Sequence, residues 1–212
     1  MINIAANIEI ILHWLCSAAS ILTLMVAIYN VLSAQARPAG QQTKAAARVL
    51  RSPYLIAASF LFFSLGYMLW KPVPLQLAWQ VQFLCSLSGA VVLLCSLAVY
   101  WWGMRTLGKN YNASSGFGVR LQQEHQLVKT GPYAYLRHPM YLAVILAFWG
   151  GLLLYRTWTM VGYSLLMFGL FYRAAVEEQA LAVAFGKEWE IYRQSVPAWI
   201  PCVIRRVKKD RS

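Results

Sequence analysis

The sequence predicts an all-α, polytopic membrane protein with five transmembrane helices, its N-terminus outside and its C-terminus cytoplasmic. Three observations carry that expectation. Apolar residues make up 59% of the 212 and charged residues only 12%, against about 25% charged in an ordinary soluble domain. A chain of this size lacks the interior volume to hide so many apolar side chains. Five stretches, residues 10–36, 52–70, 72–104, 138–155 and 157–172, contain no Asp, Glu, Lys or Arg. A crossing helix needs about 17–25 mostly apolar residues, and the runs lack the alternation of barrel strands, which leaves helices as the spanning form.

The third observation is where the basic residues fall. Arg37, Lys44, Arg48 and Arg51 follow the first run, and Arg105, Lys109, Arg120, Lys129 and Arg137 follow the third. Eight more, from Arg173 to Arg211, follow the fifth, while the second and fourth connections hold only Lys71 and Arg156. The partition is 17 to 2, and the basic side of a membrane protein is cytoplasmic. An even span count would put the N-terminal tail, whose sole charge is Glu9, on that side. The net charge of +12 therefore reports topology. Nucleic acid is not an expected partner, and attraction to anionic headgroups is a secondary consequence.

Span one is expected at about residues 8–32. Residues 1–9 lack the positive start of a cleavable signal, and the run is long enough to remain as a span. In the connection that follows, Lys44, Arg48 and Arg51 recur at helical spacing, which predicts a short interfacial helix. Span two, about 54–70, stops at Lys71-Pro-Val-Pro74, a two-proline linker. Span three, about 77–102, ends on Trp101 and Trp102 at headgroup level. Residues 103–137 are polar, glycine-bearing and too long for a tight turn, the mark of a functional loop. Spans four and five, about 140–155 and 157–173, form a short hairpin around Arg156, with Gly150, Gly151, Gly162 and Gly169 permitting close helix contact. An amphipathic helix then runs to about Phe185 with Gly186 as its C-cap, and a shorter one covers 187–194. Residues 1–104 read as a membrane platform and 105–212 as the region that carries chemistry. Cys16, Cys85 and Cys95 lie in apolar runs as small apolar side chains, and no cysteine or histidine spacing suits a metal.

The unusual polar residues gather beside spans four and five. The segment from His125 to Tyr141 holds two of the three histidines and an Arg137-His-Pro tripeptide at the mouth of a span. Arg137 and His138 so close to hydrocarbon are costly unless paired, so they should face a cavity or the headgroup zone. A plainer reading has Arg137 snorkelling and Pro139 opening a helix where its missing N–H costs nothing. Arg173 and Glu177 are four apart on one helix face, spaced for a surface ion pair worth only about 0.3–0.5 kcal/mol. Next to Glu178, those carboxylates can instead hold a cationic ligand group. His13 in span one reads as a packed histidine bonded to a neighbouring helix.

In order, Leu107-Gly-Lys-Asn110, His125-Gln-Leu-Val128, Gly131-x-Tyr133, Arg137-His-Pro-x-Tyr141, Glu177-Glu-x-x-Leu181, Phe185-Gly186 and Tyr192…Val196-Pro…Ile200-Pro201 resemble the isoprenylcysteine carboxyl methyltransferase family and its phospholipid methyltransferase relatives. Each fragment is weak alone, but the ordered series is specific and covers about half the chain. Residues 1–100 match only as spans, and Ala143 stands where many relatives carry glycine. The resemblance implies a membrane-embedded S-adenosylmethionine site, without the glycine-rich loop after a strand that soluble methyltransferases use. It further implies that His125, Leu127, Val128, Tyr133, His138, Pro139, Met140, Tyr141 and Glu177 bind the cofactor and that Arg173 faces the substrate.

The implied activity is methyl transfer, with a carboxylate on a lipid-like or isoprenylcysteine-type substrate as the leading acceptor. A phospholipid amine is the nearest competitor, weakly disfavoured by an arginine in the acceptor pocket. A membrane sterol-type reductase using NADPH would need more basic residues than the 125–141 segment offers. Transport is disfavoured because spans one to three lack charged midplane residues. The expected location is a bacterial inner membrane or the eukaryotic endoplasmic reticulum.

Overall fold

The computed structural model describes residues 2–35, 39–42, 52–108, 120–122 and 127–201. Among the described residues there are seven α-helices: α1 (Ile2–Gln35), α2 (Ser52–Met68), α3 (Trp79–Leu107), α4 (Pro139–Tyr155), α5 (Trp158–Leu166), α6 (Gly169–Phe185) and α7 (Lys187–Ser195). A 3-10 turn spans Gly131–Ala134. The helical expectation needs one addition. Strands β1 (Ala39–Gln42) and β2 (Arg120–Gln122) pair antiparallel, with Ala39 opposite Gln122 and Gln42 opposite Arg120. Neither segment alternates or carries β-branched residues, so nothing in their sequence announced a strand.

Among the described residues, three helices are long and apolar enough to cross a membrane: Ile4–Asn30, Trp79–Leu107 and Trp158–Phe185. Pro139–Tyr155 is a shorter apolar helix. Large apolar side chains stand fully outward, with Trp14 and Phe60 each 74% exposed, as suits a lipid-facing surface rather than water. Helix α3 continues past Trp102, where span three was expected to end, to Leu107. The expected interfacial helix at 44–51 lies outside the described residues.

The helices over 158–185 break at a different place from the expected span five plus a separate helix after Arg173. Helix α5 gives way to α6 at Met167–Phe168, where Leu170 N–H reaches the Met167 carbonyl and Phe171 N–H the Phe168 carbonyl, each at 3.0 Å. These three-residue bonds tighten one turn, and α6 then runs uninterrupted through Arg173 to Phe185. Gly186 caps it with φ +50°, a conformation that favours glycine.

The tightest contact is α3 on α4. A Cβ on Gly89 would lie 2.6 Å from the Gly150 carbonyl oxygen, and one on Gly150 would lie 2.7 Å from the Leu93 backbone nitrogen. Only glycine permits that backbone approach. Beside it, Cys16 of α1 packs with Ala90, Leu93 and Leu154 in a closed apolar cluster. His13 meets the Leu154 carbonyl at 3.1 Å, the packed histidine that the sequence led one to expect. Helix α2 is held by polar donors of α5: Tyr163 donates to the Phe62 carbonyl at 2.5 Å and Thr159 to the Gly66 carbonyl at 2.6 Å.

At the hairpin end of the bundle the two polar linkers pair. Val73 N–H donates to the Arg156 carbonyl at 2.8 Å and Trp158 N–H to the Lys71 carbonyl at 3.0 Å. The Arg156 side chain meets Glu9 at 2.5 Å and Ser86 at 2.8 Å, and Ser86 donates to Glu9 at 2.5 Å. The sole charges of the N-terminal tail and of the fourth connection therefore neutralise each other.

Candidate functional site

A cavity of about 230 Å³ opens at the other end of α4 from Arg156, one helix length of roughly 25 Å away. Its walls come from four places. Tyr100 and Leu107 belong to α3, Tyr133 to the 3-10 turn, Arg137 and His138 to the residues just before α4, and Pro139, Met140, Tyr141 and Val144 to its start. Met167 at the α5–α6 junction and Leu170, Arg173 and Glu177 of α6 complete it, and their spacing of three, three and four puts them on one helical face.

Local sequence explains how these pieces arrive. Pro139 occupies the first turn of α4, where a proline loses no hydrogen bond. Gly131 has φ +59°, and a Cβ there would lie 2.5 Å from Thr106 Oγ1. The turn bearing Tyr133 can therefore sit on the end of α3 only with glycine at that corner.

Two polar clasps join α4 to α6 beside the cavity. In the first, Tyr141 donates to Glu177 Oε2 at 2.6 Å and accepts from Arg173 Nε at 2.8 Å. The Arg173 guanidinium also lies 5.6 Å from the centre of the Tyr141 ring, within cation–π range. In the second, Glu178 Oε1 accepts from His138 Nε2 at 2.9 Å and from Arg137 Nε at 3.0 Å and Nη2 at 2.9 Å. Neighbouring carboxylates on α6 thus serve different partners, and the His138 and Tyr141 rings stack 5.5 Å apart at 9°. His138 is 5% exposed, so its charge-assisted partner offsets a substantial desolvation cost.

The chain beyond α7 closes over this corner. Arg137 N–H donates to the Pro197 carbonyl at 2.9 Å and His138 N–H to that of Ala198 at 3.3 Å. Arg137 Nη1 reaches the carbonyls of Arg193 and Val196 at 2.8 and 3.1 Å. Trp199 lies 4.2 Å from Phe171 and 5.4 Å from His138, ring centre to ring centre. Tyr192 donates to the Tyr133 carbonyl at 2.7 Å, and burial holds its phenol above the ordinary pKa. It stays a protonated donor at any physiological pH.

Of the residues singled out from sequence, Tyr133, His138, Pro139, Met140, Tyr141, Arg173 and Glu177 line this one cavity. Leu127 packs instead against Leu181, Trp189, Tyr192 and Val196, and neither it nor the half-buried Val128 is among the described lining residues. His125 lies outside the described residues. Sequence reasoning missed Glu178 as a partner of Arg137 and His138, and it missed Tyr100, Met167 and Leu170 in the wall. The signal for Glu178 was available: a histidine and an arginine at the hydrocarbon edge need a carboxylate, and few exist in this chain. No group of three metal-ligating side chains occurs among the described residues.

Residues 88–183 match the sequence model of the isoprenylcysteine carboxyl methyltransferase family. Methanethiol S-methyltransferase 1 of Bradyrhizobium diazoefficiens is 30% identical over 166 residues, covering 71% of this chain and 54% of that protein. Protein-S-isoprenylcysteine O-methyltransferase of Homo sapiens is 30% identical over 168 residues, 74% of this chain and 54% of the relative. Its Schizosaccharomyces pombe counterpart is 35% identical over 83 residues, 38% of this chain and 35% of that one. The chain spans about half the length of the curated relatives it matches. A solved structure of the eukaryotic intramembrane Ras methyltransferase aligns with a TM-score of 0.49 at 26% identity, over 72% of this chain and 54% of that one.

Proposed function

We propose that this chain, which belongs to the isoprenylcysteine carboxyl methyltransferase family through residues 88–183, is a membrane-embedded S-adenosylmethionine-dependent methyltransferase. Its acceptor in this reading is a carboxylate on a lipid-like or isoprenylcysteine-type substrate. The observation that carries it is the Arg173–Tyr141–Glu177 cluster on the cavity wall. It sets an acidic acceptor and a basic donor on neighbouring turns of one helix, with a tyrosine hydroxyl bonded to both.

The residues present fit the cofactor. Glu177 offers an oxygen to ribose hydroxyls or an ammonium group, and the rings of Tyr133 and Tyr141 offer faces to a sulfonium. Met140, Val144 and Leu170 supply apolar wall for a base. Leu127, Val128 and His125 keep their proposed cofactor roles, although their place is away from the cavity lining or outside the described residues. Bound here, S-adenosylmethionine supplies an electrophilic methyl group. Arg173 orients an acceptor carboxylate, bidentately where geometry allows. A carboxylate is already ionised, so no side chain has to remove a proton, and positioning with exclusion of water supplies most of the rate. The 17-to-2 charge partition supports a five-span chain with this cavity on the cytoplasmic side, where a soluble cofactor is available.

The names of the relatives mention both a prenylcysteine carboxyl group and a small thiol. A guanidinium beside the cavity favours the anionic carboxylate over a neutral thiol or a cationic amine. Titration of the detergent-purified protein with S-adenosylmethionine and, separately, NADPH tests the cofactor. Saturable binding of the first alone is expected, lost on Glu177→Ala. Binding of NADPH alone would favour the reductase reading and overturn this one.

A further inference from the structure

We infer that Glu178 is a positioning residue of the site, acting through the His138 imidazole; the inference rests on the S-adenosylmethionine reading of the cavity. Glu178 itself is not among the described residues that line the cavity, whereas His138 is. One oxygen, Oε1, takes three N–H donors: His138 Nε2, Arg137 Nε and Arg137 Nη2, all between 2.9 and 3.0 Å. An ionised carboxylate can only accept, so Nε2 carries the hydrogen in either charge state of the ring. The neutral ring is then confined to one tautomer, with Nδ1 as its acceptor.

The ring plane is fixed as well. It stacks on Tyr141 at 9° and lies against Trp199, so rotation about the side chain would break both the hydrogen bond to Glu178 and the packing. Tyr141 is held by Glu177 in the same way. Two adjacent carboxylates, about 100° apart around α6, thus fix two cavity residues three apart at the N-terminal end of α4, His138 just before it and Tyr141 in its first turn. A carboxylate behind a histidine is the usual means of setting which face and which nitrogen the ring presents.

A purely structural role is the competing explanation, because Arg137 also ties Glu178 to the Arg193 and Val196 carbonyls. A double-mutant cycle separates them. S-adenosylmethionine affinity is measured by calorimetry on the full-length protein in detergent for Glu178→Gln, His138→Ala and the double variant. Loss of a charge-assisted bond is expected to weaken binding about tenfold for Glu178→Gln in the unmodified background. In the His138→Ala background the same change should cost less than about twofold. Equal fold-losses in both backgrounds would overturn the proposal while leaving the cofactor reading intact. Absence of binding by the unmodified protein would overturn both. If Glu178→Gln does not fold, Glu178→Asp, which keeps the charge but shortens the reach, is read through the same cycle with the same two outcomes.

Discussion

Arg156 adopts φ +49°, a conformation that costs a side-chain-bearing residue about 1–2 kcal/mol. The structure holds it there because its guanidinium closes a network with Glu9 and Ser86, and its carbonyl accepts from Val73. Both charged side chains are largely buried, at 18% and 16% exposure, so removing one leaves the other without its counter-charge. Arg156→Ala should therefore destabilise the protein by roughly 3 kcal/mol. Thermal unfolding in detergent checks this, and Glu9→Gln combined with Arg156→Ala should cost clearly less than the two singles added. At this scale the sequence was half legible. Arg137 and His138 could be recognised as needing partners from their position alone. Which of Glu177 and Glu178 serves each could not be read, because the answer depends on how α6 is rotated against α4.

Helix contacts were legible in kind and not in place. Glycines were expected to allow close packing, and Gly150 does meet Gly89 of α3 backbone to backbone. Gly162 and Gly169 have nothing within 4 Å of an added Cβ, since period within one helix does not say which face another helix occupies. Gly89 went unnoticed for the same reason. Gly89→Ala should accordingly destabilise by about 1–3 kcal/mol, because backbone atoms cannot retreat as a side chain can. Gly162→Ala should be neutral or stabilising by up to about 1 kcal/mol. Denaturation midpoints of the two variants in one detergent make the comparison. The sequence reading put a helix boundary at Arg173, whereas α6 runs through Arg173, whose side chain bonds Tyr141; the observed break is the apolar Met167–Phe168 turn, which no polar residue marks.

Across the whole molecule the two ends of α4 do different work. The Arg156 end is a hairpin whose Arg156–Glu9 pair and linker hydrogen bonds join α1, α3 and the linkers. The Pro139 end gathers a cavity, two carboxylates, two arginines and a histidine. Tyr100, in the stretch read as membrane platform, stands in the cavity wall beside Leu107 of the same helix. Composition alone revealed the solvent that the chain prefers, since apolar runs need no tertiary contacts to be recognised. The grouping of the site had to come from the ordered motifs, whose cavity-lining members lie up to 70 residues apart, between Leu107 and Glu177.

Sidedness and chemistry meet in one measurement. Sealed membrane vesicles bearing the protein are prepared in both orientations and given methyl-labelled S-adenosylmethionine, which is too polar to cross the bilayer, with a prenylcysteine analogue in the lipid phase. The account predicts base-labile methyl label in the lipid phase only when the donor reaches the cytoplasmic face, where the basic connections lie. Label that resists base, or transfer that requires the donor on the opposite face, would contradict it.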